Sequence, residues 1–408
     1  MKIFVSTFVF VALAVLEAGA QARPRARDLG VPREGETGRL NAITDVAGVE
    51  VGHTTLISGE GPLVVGKGPV RTGVTVVHPR GRASTDPVFA SWFSLNGNGE
   101  MTGTAWVDES GFLEGPVSIT NTHSVGVVRD AVIEWMIRRP SAQPWALPMV
   151  AETFDGLLND VNGFHVKREH AFAALDGART GPVAEGSVGG GTGMICFGFK
   201  GGIGTSSRVT ARTGGYTVGV LVQCNAGRRS EMRVGGVPVG RILSDQTLCV
   251  TSPVTGPPRF ATGLPLCDAQ AAAPLDERRE GMGSIIVVVA TDAPLMPQQL
   301  RRLAIRAALG VGAAGGRGEN SSGDLIVAFS TANARARQDT GVVTPRMLSN
   351  DAMNPLFYAT VQATEEAIIN AMVASPTMTG ADGARAYGIP HERLQAALRR
   401  FNRLAELR

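Results

Sequence analysis

The chain has 408 residues, of which 43% are hydrophobic and 18% charged, a composition that is ordinary for a globular protein and excludes a disordered one. The formal net charge is only +3 and the basic residues are spread along the chain, so nucleic acid is not an expected partner. Aromatic residues make up only 5%, so the core must consist mainly of aliphatic side chains.

The first 22 residues have the pattern of an export signal. Lys2 precedes an apolar run over 3–16, and small residues follow around Ala20 and Ala22. The run is shorter than the ~20 residues that a membrane-spanning helix needs, and this order of charge, apolar run and small residues is typical of a signal peptide. We therefore expect residues 1–22 to be removed, and the mature protein to be periplasmic or secreted, with no membrane partner after signal removal.

Apolar segments rich in Val and Ile predict buried strands at 73–78, 218–223, 284–290 and 325–329. Helices are predicted at 165–175, from Pro297 to a C-cap at Gly310, and at 356–373. Strands mixed with helices predict a layered α/β or α+β architecture.

The interval 251–282 has the composition of a loop in an otherwise compact chain. It is rich in Pro, Gly and Ala, ends in a charged run, and stops where an apolar strand begins at Ser284. A loop of about thirty residues is uncommon unless it is functional or disordered. Of the four cysteines, Cys249 and Cys267 flank part of this interval and form the expected disulfide; buried free thiols are the alternative.

Common catalytic motifs are missing from the sequence or lie in the wrong context. A G-x-G-x-x-G match at 310–315 follows a predicted helix instead of a strand, so it does not predict a dinucleotide site. The sequence has no G-x-S-x-G, H-E-x-x-H or P-loop. His53, His78 and His123 are interpreted as structural, the cysteine spacings fit no zinc site, and no metal or organic cofactor is expected.

Catalysis without histidine is possible when cleavage of the chain exposes a Ser or Thr whose own α-amine is the base. That amine has a reference pKa of about 7.7–8.0, so an appreciable fraction is unprotonated near neutral pH. The requirement is a small residue and then Ser or Thr where a loop meets a strand. Gly283 and Ser284 satisfy it, although glycine and serine before a strand are also common in ordinary turns.

Nine segments, in order through nearly all of the mature chain, carry a family resemblance. They are RARDLGVP (25–32), LNAITDVAGVEVGHTT (40–55), VAETFD (150–155), GGGTGMI (189–195), GGIGTSSR (201–208), VLVQCN (220–225), ATDAPLMP (290–297), AFST (328–331) and QATEEA (362–367). The chain resembles the self-processing family of L-aminopeptidases/D-amidases and β-aminopeptidases. The resemblance implies an α+β fold, an αββα sandwich with two sheets between helix layers. It also implies a single domain cut into a large chain, 23–283, with 251–283 as a processing loop, and a small chain, 284–408.

The resemblance also implies site residues. It assigns the cleavage point to the bond between Gly283 and Ser284, and the nucleophile to Ser284. Asn225 matches the oxyanion-hole amide, a neutral donor that stabilises developing negative charge. Ser322 and Asp324 match the pair that hydrogen-bonds the nucleophile and its α-amine. From the residues alone, a strand cap at Asn225 and a turn at 321–324 are the alternatives.

Three further residues are predicted to bind substrate. Glu152 matches the acidic residue that receives the substrate's terminal ammonium, which would select free amino ends; a surface pair with an arginine is the alternative. Trp145 is expected as an aromatic wall of that pocket. Phe154 stands where some L-aminopeptidases carry tyrosine, which favours the β-aminopeptidase pattern.

The expected protein is therefore a self-processing serine aminopeptidase that forms an acyl-enzyme on Ser284. Its substrates would be small peptides, amides or esters with a free amino terminus. The subclass leans towards β-peptides because of Phe154, while Asp324 and Gly283 agree with the L-aminopeptidase/D-amidase/D-esterase alternative. An acyltransferase and an inactive exported binding protein are the rivals. A homo-oligomer of αβ pairs, a tetramer, is implied by the resemblance.

Overall fold

A computed structural model describes residues 23–139, 145–210, 215–256, 259–272, 283–337 and 341–406. The predicted export signal and residues 257–258 and 273–282 of the predicted processing loop lie outside these ranges. The strands are β1 (Glu50–Ser58), β2 (Val70–His78), β3 (Val88–Gly97), β4 (Phe112–Leu113), β5 (Val117–Asn121), β6 (Met149–Thr153), β7 (Ile195–Cys196), β8 (Phe199–Lys200), β9 (Gly202–Thr210), β10 (Tyr216–Asn225), β11 (Cys249–Val250), β12 (Ser284–Thr291), β13 (Gly323–Ser330), β14 (Met378–Thr379) and β15 (Ala384–Ala386). The α-helices are α1 (Thr104–Ser110), α2 (Val125–Ile137), α3 (Arg168–Asp176), α4 (Val239–Ile242), α5 (Pro297–Ala314), α6 (Asn354–Val373) and α7 (His391–Arg400).

Two sheets form the centre of the molecule. One has six strands in the order β4-β3-β13-β12-β10-β9, and the other has four in the order β1-β2-β5-β6. Side chains such as Val288 and Ile119 fill the space between the sheets. Helices α5 and α6 pack on the outer face of the larger sheet, and α2 and α3 on the outer face of the smaller one. This is the four-layer αββα arrangement that the resemblance implied.

All four predicted strands are present, as parts of β2, β10, β12 and β13. The predicted helix end at Gly310 is wrong, because α5 continues to Ala314 and ends at Gly315, whose φ of 110° lies in the left-handed region. Gly310 instead allows α5 to approach α6: a Cβ there would lie 2.6 Å from Cβ of Thr364. The G-x-G-x-x-G match therefore lies at the end of a helix, as its sequence context indicated.

The alternation of side chains along β12 determines where Ser284 points. Ile286 and Val288 face the space between the sheets, and Ile285 and Val287 face the helices. Successive residues of a strand point to opposite faces, so Ser284 lies on the same face as Ile286. The first residue of β12 is thereby directed into the space between the two sheets, at its edge.

All four cysteines are paired. The expected disulfide between Cys249 and Cys267 is confirmed, and a second one joins Cys196 to Cys224. Free thiols, the alternative at these positions, are therefore not found. No helix within the described ranges is long and apolar enough to cross a membrane.

Candidate active site

Ser284 begins β12 and is 4% exposed. Strand β13 runs parallel beside it, with Gly323 opposite Ser284. The backbone N–H of Gly323 points at two acceptors, the carbonyl oxygen of Gly283 at 3.1 Å and Oγ of Ser284 at 3.2 Å. One donor thus lies against both the hydroxyl and the carbonyl of the bond that precedes it.

Asn225 ends β10 and lies directly opposite Ser284 across the antiparallel pair β10 and β12. Its Oδ1 accepts a hydrogen bond of 2.7 Å from N–H of Ile195, and its Nδ2 donates to the carbonyl of Phe154 at 2.8 Å. A primary amide has two N–H donors, so one donor of Asn225 remains after these bonds are made. Residues opposite each other in an antiparallel pair have neighbouring side chains, and Asn225 can therefore present that donor to an oxyanion formed next to Ser284.

Ser322 and Asp324 are both buried and bonded to each other. Ser322 Oγ donates to Oδ1 of Asp324 at 2.6 Å. Burial raises the pKa of Asp324, although the bond from Ser322 and one from N–H of Ile285 act in the opposite direction. The Asp324 carboxylate thus accepts a hydrogen bond from the backbone one residue after Ser284, close to where the freed α-amine would lie. The hydrogen bond to the Ser284 hydroxyl itself comes from Gly323.

Glu152 lies near the end of β6 and is 3% exposed. It accepts hydrogen bonds from N–H of Glu100, at 3.0 Å, and from Oγ1 of Thr122. Burial raises its pKa. No Lys or Arg in the described part of the chain makes an ion pair with it, so the alternative of a surface pair with an arginine does not describe the structure. A buried carboxylate that lacks an ion pair with a Lys or Arg attracts an ammonium ion.

Gly99 lies between the Glu152 carboxylate and Gly323, the residue that donates to Ser284. A Cβ at Gly99 would lie 3.2 Å from Oε1 of Glu152 and 3.2 Å from Cα of Gly323, whose N–H bonds to Ser284. Glycine at this position leaves room between the carboxylate and the backbone of Gly323. Gly99 and Thr122 lie outside every predicted motif, whereas Gly323 lies in the segment 321–324, in which only Ser322 and Asp324 were predicted to have a role.

Phe154 adjoins the site, whereas no contact within the described ranges links Trp145 to it. The Phe154 carbonyl accepts from Asn225, and its ring contacts Phe260. Trp145 lies before the start of β6, whereas Glu152 is near its end. Trp145 is 44% exposed, and its ring makes an edge-to-face contact with Trp106, with 5.3 Å between centroids. Its role in the pocket stays a prediction.

The Cys196–Cys224 disulfide lies beside Asn225 along the chain. Cys224 immediately precedes Asn225, and Cys196 follows Ile195, whose N–H bonds to Asn225 Oδ1. Lys200 also stabilises the segment around Ile195, because its Nζ donates to the carbonyls of Met194 and Gly201 at 2.8 Å each. Burial lowers the pKa of Lys200 to about 7. These contacts fix the orientation of the amide, and the sequence indicated none of them.

The histidines of the smaller sheet do not contribute to this chemistry. Burial lowers the pKa of both His53 and His78 to about 4, so they are uncharged at neutral pH. His53 pairs with Oγ1 of Thr75 and His78 with the carbonyl of Leu175. The site therefore combines a hydroxyl nucleophile, an amide donor and two carboxylates, a set suited to acyl transfer from a substrate with a free amine.

Comparison with known proteins gives a consistent result. The family profile described as peptidase family S58 matches residues 41–386. The β-peptidyl aminopeptidase BapA of Sphingosinicella microcystinivorans is 54% identical over 404 residues, which cover 98% of each chain.

Two solved structures are similar over nearly the whole chain. One is the L-aminopeptidase D-Ala-esterase/amidase of Ochrobactrum anthropi, described as a serine aminopeptidase and a variant of the Ntn hydrolase fold. It has a TM-score of 0.82 and 44% identity, covering 94% of this chain and 100% of its own. The other is a β-aminopeptidase of a Burkholderia species, with a TM-score of 0.78 and 46% identity, covering 92% of this chain and 99% of its own.

Proposed function

The chain belongs to peptidase family S58 and is a serine-type aminopeptidase; from this we propose that it releases β-amino-acid residues from the amino ends of peptides, amides and esters. We propose further that it does so only after cutting itself between Gly283 and Ser284. The observation that carries the proposal is the shared donor of Gly323, which holds Ser284 Oγ and the Gly283 carbonyl at 3.2 and 3.1 Å.

Maturation would proceed by transfer of an acyl group within the chain. Ser284 Oγ attacks the carbonyl carbon of Gly283, whose oxygen is polarised by N–H of Gly323. The C–N bond breaks, the hydroxyl proton passes to the departing nitrogen, and an ester joins Gly283 to Ser284. Water then hydrolyses the ester, which leaves a carboxylate on Gly283 and a free α-amine on Ser284.

The matured site would use that amine as its base. The amine takes the proton of Ser284 Oγ as the hydroxyl attacks the first carbonyl of the substrate. The free N–H of Asn225 stabilises the oxyanion. The ammonium then protonates the leaving amine, and Asp324, close by, favours the ammonium form in which this proton is available. Hydrolysis of the acyl-enzyme by water completes the cycle.

Glu152 would determine that the enzyme is an exopeptidase. Its carboxylate is buried and makes no ion pair with a Lys or Arg of the described ranges, although His123 lies close enough to lower its pKa; a substrate ammonium would supply a direct partner. An acylated or internal amine carries no charge and would leave Glu152 uncompensated, which is costly in a buried site. Preference for β-amino acids is supported by the relative that is 54% identical and is named a β-peptidyl aminopeptidase.

Export and assembly are part of the same proposal. The Lys2-led apolar run supports export, and so do the two disulfides, which persist in oxidising compartments such as the periplasm. Assembly into a homo-oligomer of αβ pairs is supported by apolar side chains exposed beyond the end of β1, such as Val64 and Val65. The mass of the purified protein in solution tests the second point.

The substrate class is tested by comparing kcat/KM for three sets of amides under one condition. These are β-aminoacyl amides, L-α-aminoacyl amides and D-alanine amide, each also in an N-acetylated form. The expected result is the highest kcat/KM for the β set and no turnover of any acetylated amide. A higher value for the α-amino-acid sets would instead favour the L-aminopeptidase/D-amidase function, with which Gly283 and Asp324 agree.

A further inference from the structure

The ring of Phe154 is covered by an aromatic residue from the segment that precedes the cleavage site. Phe260 contacts Phe154 edge to face, with 4.9 Å between ring centroids and 70° between ring planes. Phe154 is half-buried and Phe260 is 47% exposed. Because the Phe154 carbonyl bonds to Asn225, the backbone that carries this pair of rings adjoins the active site.

The backbone on both sides of Phe260 is held by a turn. The N–H of Thr262 donates to the carbonyl of Arg259 at 3.0 Å, and the N–H of Arg259 donates to Oγ1 of Thr262 at 2.8 Å. Ala261 is 2% exposed and packs in a cluster that includes Leu158. Phe260 thus lies between a residue that is tied to the turn and one that is buried.

The segment that carries this turn is held at both ends. The disulfide between Cys249 and Cys267 closes it. Within it, Arg259 Nη1 makes an ion pair of 2.8 Å with Asp382 and donates to the carbonyl of Leu63 at 3.0 Å. Strand β11, where the segment begins, pairs with β15. Both β15 and Asp382 lie after the cleavage site, so these contacts would join the large chain to the small chain.

We propose that Phe260 is a specificity-determining residue that stays in place after self-cleavage and, with Phe154, receives a bulky apolar side chain of the substrate's first residue. The inference rests on the proposed function, because it concerns the same site. Only the part of the loop after Cys267 is released at one end when the bond to Ser284 breaks. The loop that precedes the nucleophile therefore has two functions: cleavage at its end and substrate selection near its middle.

Two substitutions at Phe260 and one control test the inference. Phe260→Ala removes the ring, Phe260→Leu keeps apolar bulk without the edge-to-face contact, and Phe401→Ala removes a ring of similar exposure, 45%, from the end of α7. The readout is the ratio of kcat/KM for a β-aminoacyl amide with a bulky apolar side chain to that for β-alanine amide. We expect the ratio to fall about tenfold or more in Phe260→Ala, to fall less in Phe260→Leu, and to stay unchanged in Phe401→Ala.

An unchanged ratio in Phe260→Ala would overturn the inference while the wild-type activity leaves the proposed function standing. Should Phe260→Ala fail to fold, the ratio in Phe260→Leu decides alone, and equality with the wild type would again overturn the inference. Wild-type protein that hydrolyses none of the amides would instead overturn the proposed function, and the inference with it.

The retention of the segment has its own measurement. The mass of the large chain, taken after full maturation and with the disulfides reduced, should include residues 259–267. A large chain that ends before Phe260 would contradict the inference even if the enzyme is active. A double substitution of Cys249 and Cys267 by Ala should also lower the ratio of kcat/KM for the bulky substrate to that for β-alanine amide, because the segment that carries the turn is no longer closed by the disulfide.

Discussion

Asn225 and Ser284 lie directly opposite each other across the antiparallel strands β10 and β12. The amide of Asn225 is oriented by two fixed partners, N–H of Ile195 and the carbonyl of Phe154. Its position relative to the nucleophile therefore follows from sheet register, and its orientation from the segments on either side. A site built in this way needs little reorganisation when an oxyanion forms.

Asn225→Ala is expected to lower kcat by about 10²–10³-fold, the usual loss of one oxyanion donor. It also leaves the N–H of Ile195 without its acceptor, which costs about 1–3 kcal/mol of stability. The amide hydrolysis rate at saturating substrate and a thermal melt separate the two effects. A variant that is as stable as predicted and retains wild-type kcat would show that the donor of Asn225 is not used.

The Cys196–Cys224 disulfide should influence catalysis through Asn225. Replacing both residues by Ala removes a link worth about 2–4 kcal/mol and frees the segment whose Ile195 orients the amide. We expect lower kcat with nearly unchanged KM for small and bulky substrates alike, measured well below the melting temperature. The Cys249 and Cys267 double variant is the control, because its predicted loss is confined to bulky substrates. The same loss in both would contradict a specific positioning role.

Glu152→Gln should weaken substrate selection and change the pH dependence of stability. Loss of the charge lowers kcat/KM for free-amine amides and narrows the difference in kcat/KM between them and the acetylated amides.

Burial raises the pKa of Glu152 in the folded protein, so the folded state holds this proton more tightly than the unfolded chain. The stability that protonated Glu152 contributes is therefore lost as pH rises from the ordinary pKa of glutamate through the raised pKa of Glu152. The melting temperature of Glu152→Gln minus that of the wild type should grow as pH rises above about 4, the ordinary pKa of glutamate; a constant difference would contradict it.

Gly283→Ala should impair maturation for steric reasons. A Cβ at position 283 would lie 1.8 Å from the carbonyl oxygen of Asn225, so either the cleavage site or the end of β10 must move. We expect slower cleavage in a time course followed by electrophoresis, and a lower melting temperature. Gly312→Ala is the matched control, because a Cβ there meets no atom within 4 Å and alanine favours a helix over glycine by about 1 kcal/mol. Equal behaviour of the two variants would refute the steric explanation.

From the residues alone, the parts of the site that depend on local sequence were predictable and those that depend on register were not, and the role of Asn225 was predicted only through the resemblance. The junction before Ser284 is local, a flexible residue between a loop and an apolar strand. The Gly323 donor is a backbone group and depends on the parallel pairing of β12 with β13, so no side-chain pattern announces it. The Cys196–Cys224 pair likewise depends on a contact between β10 and the segment around β7 that spacing alone does not reveal.

The same distinction holds for the fold. Apolar runs predicted the buried central strands correctly, because strands covered on both faces require them. The end of α5 was misplaced at Gly310, because a glycine that allows close packing against Thr364 looks like a glycine that ends a helix. Packing partners distant in the chain decide between the two, and the local sequence does not contain them.

The central claim is that Ser284 cuts the chain before it and then acts as the nucleophile. The most direct measurement is the intact mass of the purified wild-type protein beside Ser284→Ala, with β-aminoacyl amide hydrolysis measured on both. We expect two fragments in the wild type, the smaller beginning at Ser284, and a single inactive chain in the variant. A variant that is still cleaved at this bond and still active, or a wild type that is active as one uncut chain, would contradict it.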